Sequence, residues 1–264
     1  MPFMVITAGE KAPEFAALAQ MLRAAFKLDL DTAAAAARHC WGVLGSGLDE
    51  AAADNLTVVC AGLGIKTLKL PCPQPTLPAE EKIKKAAFAG GAVSFTGSGN
   101  LAYTAEPGDI LVIAAAPIKE ETLRMVKTKE GPSGQERAVR MGIMAVTGLP
   151  IGLGKSREVN KEVKSSEVSF YLDLVLAGGQ HRLRLTSGDF DFSCLKEKKT
   201  YSSQLNFRLL AAELAAFAPA AYKNAGLRAM LEAKPLGPLP YDSPADLEKE
   251  TLRLLLAKGC CATG

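Results

Sequence analysis

Histidine and strong net charge are both scarce in this chain. Only two histidines occur among its 264 residues. Because histidine is the side chain whose ordinary pKa lies closest to neutral pH, this scarcity disfavours most histidine-based acid–base and nucleophilic mechanisms. The formal net charge is +3, which is too small to indicate nucleic-acid binding from charge alone.

Long apolar runs are also missing. No run reaches the roughly 18 apolar residues that a membrane helix requires. The first residues, MPFMVITAGEK, lack a charged region followed by an apolar region and a cleavage site. The composition, 48% hydrophobic and 22% charged, is typical of soluble globular proteins. We therefore expect no transmembrane segment, no signal peptide and a cytoplasmic location.

The six cysteines do not form a metal-binding pattern. No CxxC motif occurs, and no pair has the spacing of zinc ligands. Cys260 and Cys261 are adjacent near the end, and His39 precedes Cys40. We interpret His39 and Cys40 as helix residues, one of them partly buried. The sequence thus predicts neither a metal site nor a cofactor.

Hydrophobic periodicity predicts a β-α-α-β-α-β order for the first 70 residues. Apolar strands are indicated where short runs lie next to glycines, and helices where apolar residues recur every three to four positions. Asp31 and Asp49 are the expected N-caps of the second and third helices. The predicted elements cover residues 3–7, 11–26, 32–39, 41–44, 50–62 and 65–70.

This order resembles the C-terminal domain of the ribosomal stalk protein. The resemblance rests on the helix–LDLD–helix junction at residues 28–31, on GVLGSGLDEAAA at residues 42–53 and on AGLGIKTLKL at residues 61–70. It implies the same fold and a lysine-rich face on the first two helices that binds translation GTPases. Few basic residues occupy those helices here, so we do not expect that surface to carry over. The basic residues are Lys11, Arg23, Lys27 and Arg38.

A proline-rich stretch, PCPQPTLP at residues 71–78, marks the expected domain boundary. Prolines at this density cannot continue a helix or a central strand and form a stiff, extended spacer. We therefore predict a domain at residues 1–70, a linker at residues 71–80, a second domain at residues 81–258 and a flexible tail at residues 259–264.

The second domain is predicted to be rich in strands and to contain a long amphipathic helix. Alternation between residues 181 and 192 indicates a strand, with Asp189 and Asp191 together on its exposed face. Leucines then recur at helical spacing after Ser202 and Ser203, and Pro219 ends the helix. We expect a short strand at residues 225–231 and a last helix that begins near Ser243. The overall pattern is six or seven antiparallel strands followed by a capping helix.

This pattern resembles a pleckstrin-homology-like barrel, in which a C-terminal helix closes one end. The resemblance covers residues 81–232 and is strongest at residues 106–120, 170–176 and 181–195. The fold class implied is α+β, with a small β-α-α-β-α-β domain followed by an antiparallel, helix-capped barrel. The combination of the two domains resembles that of uncharacterised two-domain bacterial proteins.

A degenerate phosphate loop is the feature that comes closest to a catalytic motif. Gly154, Lys155 and Ser156 end the stretch that begins at residue 148, and Asp173 is the candidate for the metal-binding carboxylate that follows such a loop. A working loop requires a glycine where Leu149 stands, and it requires a parallel strand–loop–helix context. We favour a surface loop, and nucleotide binding through these residues remains the alternative.

The sequence contains no catalytic constellation, and both modules resemble folds that are commonly used to bind proteins, so protein binding is favoured over catalysis. Basic residues with acidic neighbours form a mixed surface that is the candidate partner site, with acidic-lipid binding as a further alternative. We expect a non-catalytic binding or adaptor protein whose partner is another protein, with nucleic acid disfavoured. The candidate partner-binding residues are Arg124, Lys127, Lys129, Lys155 and Arg157.

Overall fold

The computed structural model describes residues 1–71, 76–99, 101–130, 157–236 and 241–259. The α-helices are α1 (Phe15–Phe26), α2 (Leu30–His39), α3 (Glu50–Gly62), α4 (Ser203–Phe217), α5 (Ala225–Leu231) and α6 (Pro244–Ala257). The strands are β1 (Phe3–Thr7), β2 (Val43–Leu48), β3 (Thr67–Pro71), β4 (Glu80–Ala89), β5 (Ala92–Gly97), β6 (Ala102–Ala105), β7 (Ile110–Glu130), β8 (Arg157–Leu176), β9 (Arg182–Thr186) and β10 (Tyr222–Lys223). Short 3₁₀ helices cover Pro107–Asp109, Ala177–Gly179 and Phe192–Lys198.

The N-terminal elements follow the order expected from the sequence. β1 pairs with β2 and with β3, both antiparallel, to form a small sheet with β1 in the centre. The carboxylate of Asp49 accepts a hydrogen bond from the backbone N–H of Ala52 at 2.8 Å, which confirms it as the N-cap of α3. The cap of α2 is Asp29 and not Asp31, because Asp29 accepts from Thr32 and the helix begins earlier.

The large sheet has the strand order β10-β7-β8-β9-β4-β5-β6. It is mixed and not wholly antiparallel as predicted, because β10 runs parallel to β7 and β4 runs parallel to β9. Within the described residues this sheet does not close into a barrel. The predicted α+β class is confirmed, and none of the described helices is both long and apolar enough to cross a membrane.

Both faces of the large sheet are covered by helices. On one face, Ile113, Leu172 and Leu183 form a hydrophobic core with α4. On the other face, Val112 and Ala114 form a second core with α6 and with Trp41 of the N-terminal elements. The apolar run in β7 is therefore buried on both sides, as is usual for a central strand.

Two local predictions are corrected by the structure. The predicted strand at residues 181–192 ends at Thr186, because the Thr186 carbonyl accepts from the Asp189 N–H and the chain turns into a 3₁₀ helix. Residues 225–231 form α5 and not a strand, because the Asn224 side chain caps them by accepting from the N–H of Leu227. In both places a hydrogen bond of a turn or cap overrides the apolar pattern.

The chain divides into two compact units, residues 1–118 with 168–264 and residues 119–167. The first unit includes the small sheet and, up to residue 118 and again from residue 168, the strands of the large sheet. The second unit includes the remaining parts of β7 and β8. The domain borders predicted at residues 70 and 80 stay predictions.

Candidate functional site

The candidate site is built on the segment that links β9 to α4. The backbone N–H of Asp191 donates to the Lys84 carbonyl at 2.7 Å, which holds this segment beside β4. The Asp191 carboxylate accepts from the N–H of Ser193 at 3.0 Å and so caps the 3₁₀ helix Phe192–Lys198. This hydrogen bond lowers the pKa of Asp191, and the predicted acid pair of Asp189 and Asp191 therefore serves turn formation.

The 3₁₀ helix has a buried side and an exposed side. Phe192 and Leu195 are buried in the core below α4, and the Phe192 ring meets the Phe190 ring edge-on at 5.1 Å. Lys196 adopts a positive φ of 51°, which is uncommon for a residue other than glycine. Around this turn, Lys196 and Lys198 are exposed at the surface.

The turn that leads from the 3₁₀ helix into α4 is held by hydrogen bonds. Ser202 Oγ accepts from the N–H of Leu205 at 3.3 Å, which confirms the predicted N-cap. Asn206 Oδ1 accepts from the N–H of Thr200 at 2.7 Å, and Asn206 Nδ2 donates to the Thr200 carbonyl at 2.8 Å. These bonds fix the turn between the 3₁₀ helix and α4, so the surface between them is preformed.

A cavity of about 450 Å³ lies between the 3₁₀ helix, α4 and β4. We call it the Phe88 groove. Its floor is apolar, since Phe88 and Leu195 contribute a ring and an isobutyl group, and Phe88 packs edge-on against Phe217 at 5.9 Å. Its rim is charged. The lining residues are Phe88, Cys194, Leu195, Lys196, Glu197, Lys198 and Glu213.

Cys194 contributes a neutral thiol to the groove. Burial raises the pKa of Cys194, so the thiol stays protonated at neutral pH. A protonated, half-buried thiol behaves as a small apolar group and is a poor nucleophile. The groove therefore has the character of a binding surface and not that of a cysteine active site.

The charges that line the groove are balanced, with two lysines and two glutamates. Lys198 pairs with Glu213, while Lys85 and Lys199 lie 3.8 and 3.9 Å from the Asp191 carboxylate. Within the part of the chain that the structure describes, Lys196 forms no ion pair. Its ammonium group is therefore available to a ligand.

Apolar side chains share a face of α4 with Glu213, which lines the groove. Leu205, Leu209 and Glu213 recur every four residues and so share one face of the helix. Leu205 is 47% exposed, and Tyr201, which directly precedes the cap, is fully exposed. Large apolar groups that stay in water beside a cavity are a common mark of an interaction surface.

The residues singled out in the sequence lie elsewhere. Asp173 is buried in β8, where Arg184 donates to both of its oxygens, from Nε at 2.6 Å and from Nη2 at 2.7 Å. The pair is enclosed, since Arg184 is 5% exposed and Asp173 fully buried. Both carboxylate oxygens are thus used in a structural ion pair.

The other predicted site residues give no geometry to assess. Gly154, Lys155 and Ser156 lie outside the described residues. Arg124, Lys127 and Lys129 belong to β7 and Arg157 to β8, and their side chains are likewise outside the described part. Nucleotide binding and partner binding through these residues stay predictions.

A polar cluster on the large sheet joins three strands. The Glu81 carboxylate accepts from the Tyr103 hydroxyl and lies 2.9 Å from Nδ1 of His181. Partial burial raises the pKa of Glu81, but the hydrogen bonds from Tyr103 and His181 outweigh it and lower the pKa overall. The three groups satisfy one another, which indicates a cross-strand link between β6, β4 and the start of β9.

One group of residues has donor atoms close enough for a metal ion. The ligand atoms of His39, Asp242 and Asp246 lie within 4.8 Å of one another. Asp246, however, accepts from Trp41 Nε1 at 3.0 Å and from the N–H of Asp242 at 3.1 Å, as part of the cap of α6. Because the positive end of a helix dipole disfavours a cation, we assign the Asp246 carboxylate to helix capping.

Sequence reasoning missed the Phe88 groove. Its walls come from β4 and from residues 194–213, which are distant along the chain and share no motif. The one local signal is the pair of lysine-rich stretches KIKK at residues 82–85 and LKEKK at residues 195–199. The first is followed by the partly buried Phe88 and the second is preceded by the buried Phe190 and Phe192, but only the fold brings the two stretches together.

No protein-family model matches this chain, and the searches of curated proteins and of solved structures found no match either.

Proposed function

We propose that this protein is a non-catalytic protein-binding protein, with the role of an adaptor, and that the Phe88 groove receives an apolar side chain of its partner. The observation that carries the proposal is the groove itself, an apolar cavity with charged residues at its rim. A preformed apolar cavity with charged groups at its rim is the usual shape of a recognition site.

The rigidity of the walls supports this role. α4 is anchored in the core by Phe207, Leu210 and Leu214, all fully buried. The turn before it is closed by the hydrogen bonds between Thr200 and Asn206. A surface that is ordered before binding loses less conformational entropy when a partner arrives.

The architecture and location form part of the same proposal. The order β1-α1-α2-β2-α3-β3 supports the stalk-like character of the N-terminal module, and the packing of α4 on the large sheet supports a pleckstrin-homology-like origin for the rest. Folds of both kinds are widely used to bind proteins. The free thiols of Cys40, Cys60 and Cys194 support a reducing, cytoplasmic environment.

Site-directed photo-crosslinking in the native host tests the proposal. A benzophenone amino acid at position 201 places the reactive group on the exposed turn between the 3₁₀ helix and α4, the two helices that contribute to the groove, and the same amino acid at position 58 serves as the control. Val58 is 69% exposed on α3 and so offers equal access elsewhere. We expect discrete protein adducts from position 201 and none of these from position 58.

A second variant ties the adducts to the groove. Leu205→Arg replaces an exposed apolar side chain and should remove the adducts of position 201 without changing the thermal stability. If position 201 yields no discrete adduct, or if both positions yield the same set of proteins, the proposed function is wrong.

A further inference from the structure

The charges at the groove indicate the chemistry of what binds there. We propose that the partner segment presents one aromatic or large aliphatic side chain flanked by acidic residues. This inference rests on the proposed function, because it names the class of partner for the same groove.

The size and polarity of the floor indicate the anchoring side chain. The cavity of about 450 Å³ has Phe88 and Leu195 at its base and the neutral thiol of Cys194 beside them. Small-ligand sites commonly span about 300–1,000 Å³. The groove is thus large enough for one aromatic or leucine side chain, and an apolar group gains most there because the floor offers little hydrogen bonding.

The rim indicates the flanking residues. Lys196 lines the groove and forms no ion pair in the described part of the chain, whereas Lys198, Lys199 and Lys85 are paired with Glu213 or Asp191. A carboxylate of the partner would complete an ion pair with the Lys196 ammonium group. Such complementarity raises the association rate and selects the partner more than it adds to raw affinity.

Acidic neighbours argue for a peptide over a membrane surface. Glu197 and Glu213 belong to the same rim, and negative side chains repel an anionic bilayer. Lipid recognition generally relies on a dense group of about four to eight basic residues. A peptide, in contrast, has backbone N–H groups that are able to donate hydrogen bonds to the carboxylates of Glu197 and Glu213.

Fluorescence anisotropy with the full-length protein and short labelled peptides tests the inference. The probe peptide has one phenylalanine with glutamates on both sides. Two matched peptides replace the phenylalanine by alanine, or all glutamates by glutamines. We expect saturable binding of the probe, weakened at least about tenfold by either change, since one removes the buried aromatic ring and the other the charge complementarity.

Charge-reversal variants connect the binding to the rim. Lys196→Glu should weaken binding of the probe by about three- to tenfold, and added salt should reduce the difference between this variant and the unaltered protein. Lys66→Glu introduces the same charge change at an exposed lysine of the N-terminal elements and should leave binding unchanged. Circular dichroism melts confirm that both variants fold.

The outcomes separate this inference from the proposed function. If the probe does not bind, or binds no better than its glutamine version, the inference is wrong, whereas the crosslinks at position 201 decide the proposed function independently. If phosphatidylserine vesicles bind the protein in a way that Lys196→Glu abolishes, and the peptides do not, the surface recognises lipid and the inference is overturned.

Discussion

The two faces of the large sheet use polar side chains in opposite ways. On the α6 face, charged and polar groups are buried and paired within the chain. Near α4, on the other face, the charged groups surround an open groove, and Lys196 has no ion pair among the described residues. The contrast separates groups that hold the fold together from groups that are available to a partner.

The cluster around Glu250 on the α6 face shows this internal pairing. Glu250 accepts from the Tyr241 hydroxyl at 2.5 Å and from Asn224 Nδ2 at 3.0 Å with one oxygen, and from the N–H of Ala225 at 3.1 Å with the other. Asn224 also exchanges hydrogen bonds with the N–H and the carbonyl of Ala115, both at 2.9 Å. Burial and the Glu250 carboxylate hold the pKa of Tyr241 well above its ordinary value.

This comparison provides a criterion for ranking polar clusters when no motif is present. Buried polar groups must be hydrogen-bonded, so a cluster whose donors and acceptors are all used internally has little capacity left for a ligand. By this criterion Glu250 and Asp173 are structural, and the rim of the Phe88 groove is the stronger functional candidate.

The largest expected effect is on the α6 face. A Cβ atom on Gly226 would lie 1.9 Å from the backbone oxygen of Ala115, and backbone cannot move aside cheaply. We therefore expect Gly226→Ala to cost about 4 kcal/mol or more of unfolding free energy in urea denaturation. Gly188→Ala is the control, because no atom lies within 4 Å of its added Cβ. Equal stability of the two variants would contradict the packing described for α5.

The leucines of α4 sharpen the difference between core and surface. Leu214 is fully buried and Leu205 is 47% exposed. Leu214→Ala should lower the unfolding free energy by about 2–5 kcal/mol, and Leu205→Ala by about 0.5 kcal/mol or less. When both variants are fully folded, only Leu205→Ala should weaken binding of the probe peptide. The opposite ranking would mean that inside and outside of α4 are reversed.

Glutamates on the two faces provide a smaller contrast. Glu250→Gln places an amide donor against the donors of Asn224, Tyr241 or Ala225, and should cost about 1–3 kcal/mol. Glu213→Gln removes a surface ion pair with Lys198 and should cost less than about 1 kcal/mol. Chemical denaturation of both variants measures the two losses. Similar losses of unfolding free energy in the two variants would contradict the distinction between internally paired charges and charges at the rim of the groove.

Thiol reactivity should differ without any change in stability. Burial raises the pKa of Cys60 to about 11, and Cys40 is also buried, whereas Cys194 is half-exposed in the groove. Iodoacetamide labelling followed by peptide mass mapping should modify Cys194 before Cys40 and Cys60, and the probe peptide should slow only the Cys194 reaction. Labelling of Cys60 at the same rate as Cys194 would contradict the burial described.

Local signals in the sequence were sufficient for much of the fold. β1 covers the predicted residues 3–7, and Asp49 and Ser202 cap α3 and α4 as predicted. These features depend on residues close in the chain, where alternation, helical spacing and capping act directly. These local signals determine where helices and strands lie in the sequence, but not which of them pair or pack together.

Features that depend on distant residues were not predictable. β4 pairs in parallel with β9, although β5 to β8 separate these two strands along the chain. No local sequence pattern indicates this pairing. The same holds for the Phe88 groove, since Phe88 and Leu195 meet only in the folded chain. Alternation correctly marked Phe190 and Phe192 as buried, but it misled about the strand, because the chain turns after β9 and enters a 3₁₀ helix at Phe192.

Chemical-shift mapping of amide resonances during titration with the glutamate–phenylalanine peptide tests the central claim most directly. The account predicts that the largest shifts occur at residues 192–205 and beside Phe88, with residues 241–257 unaffected. Shifts concentrated on the α6 face, or no saturable shifts at residues 192–205, would contradict the assignment of the Phe88 groove as the docking site.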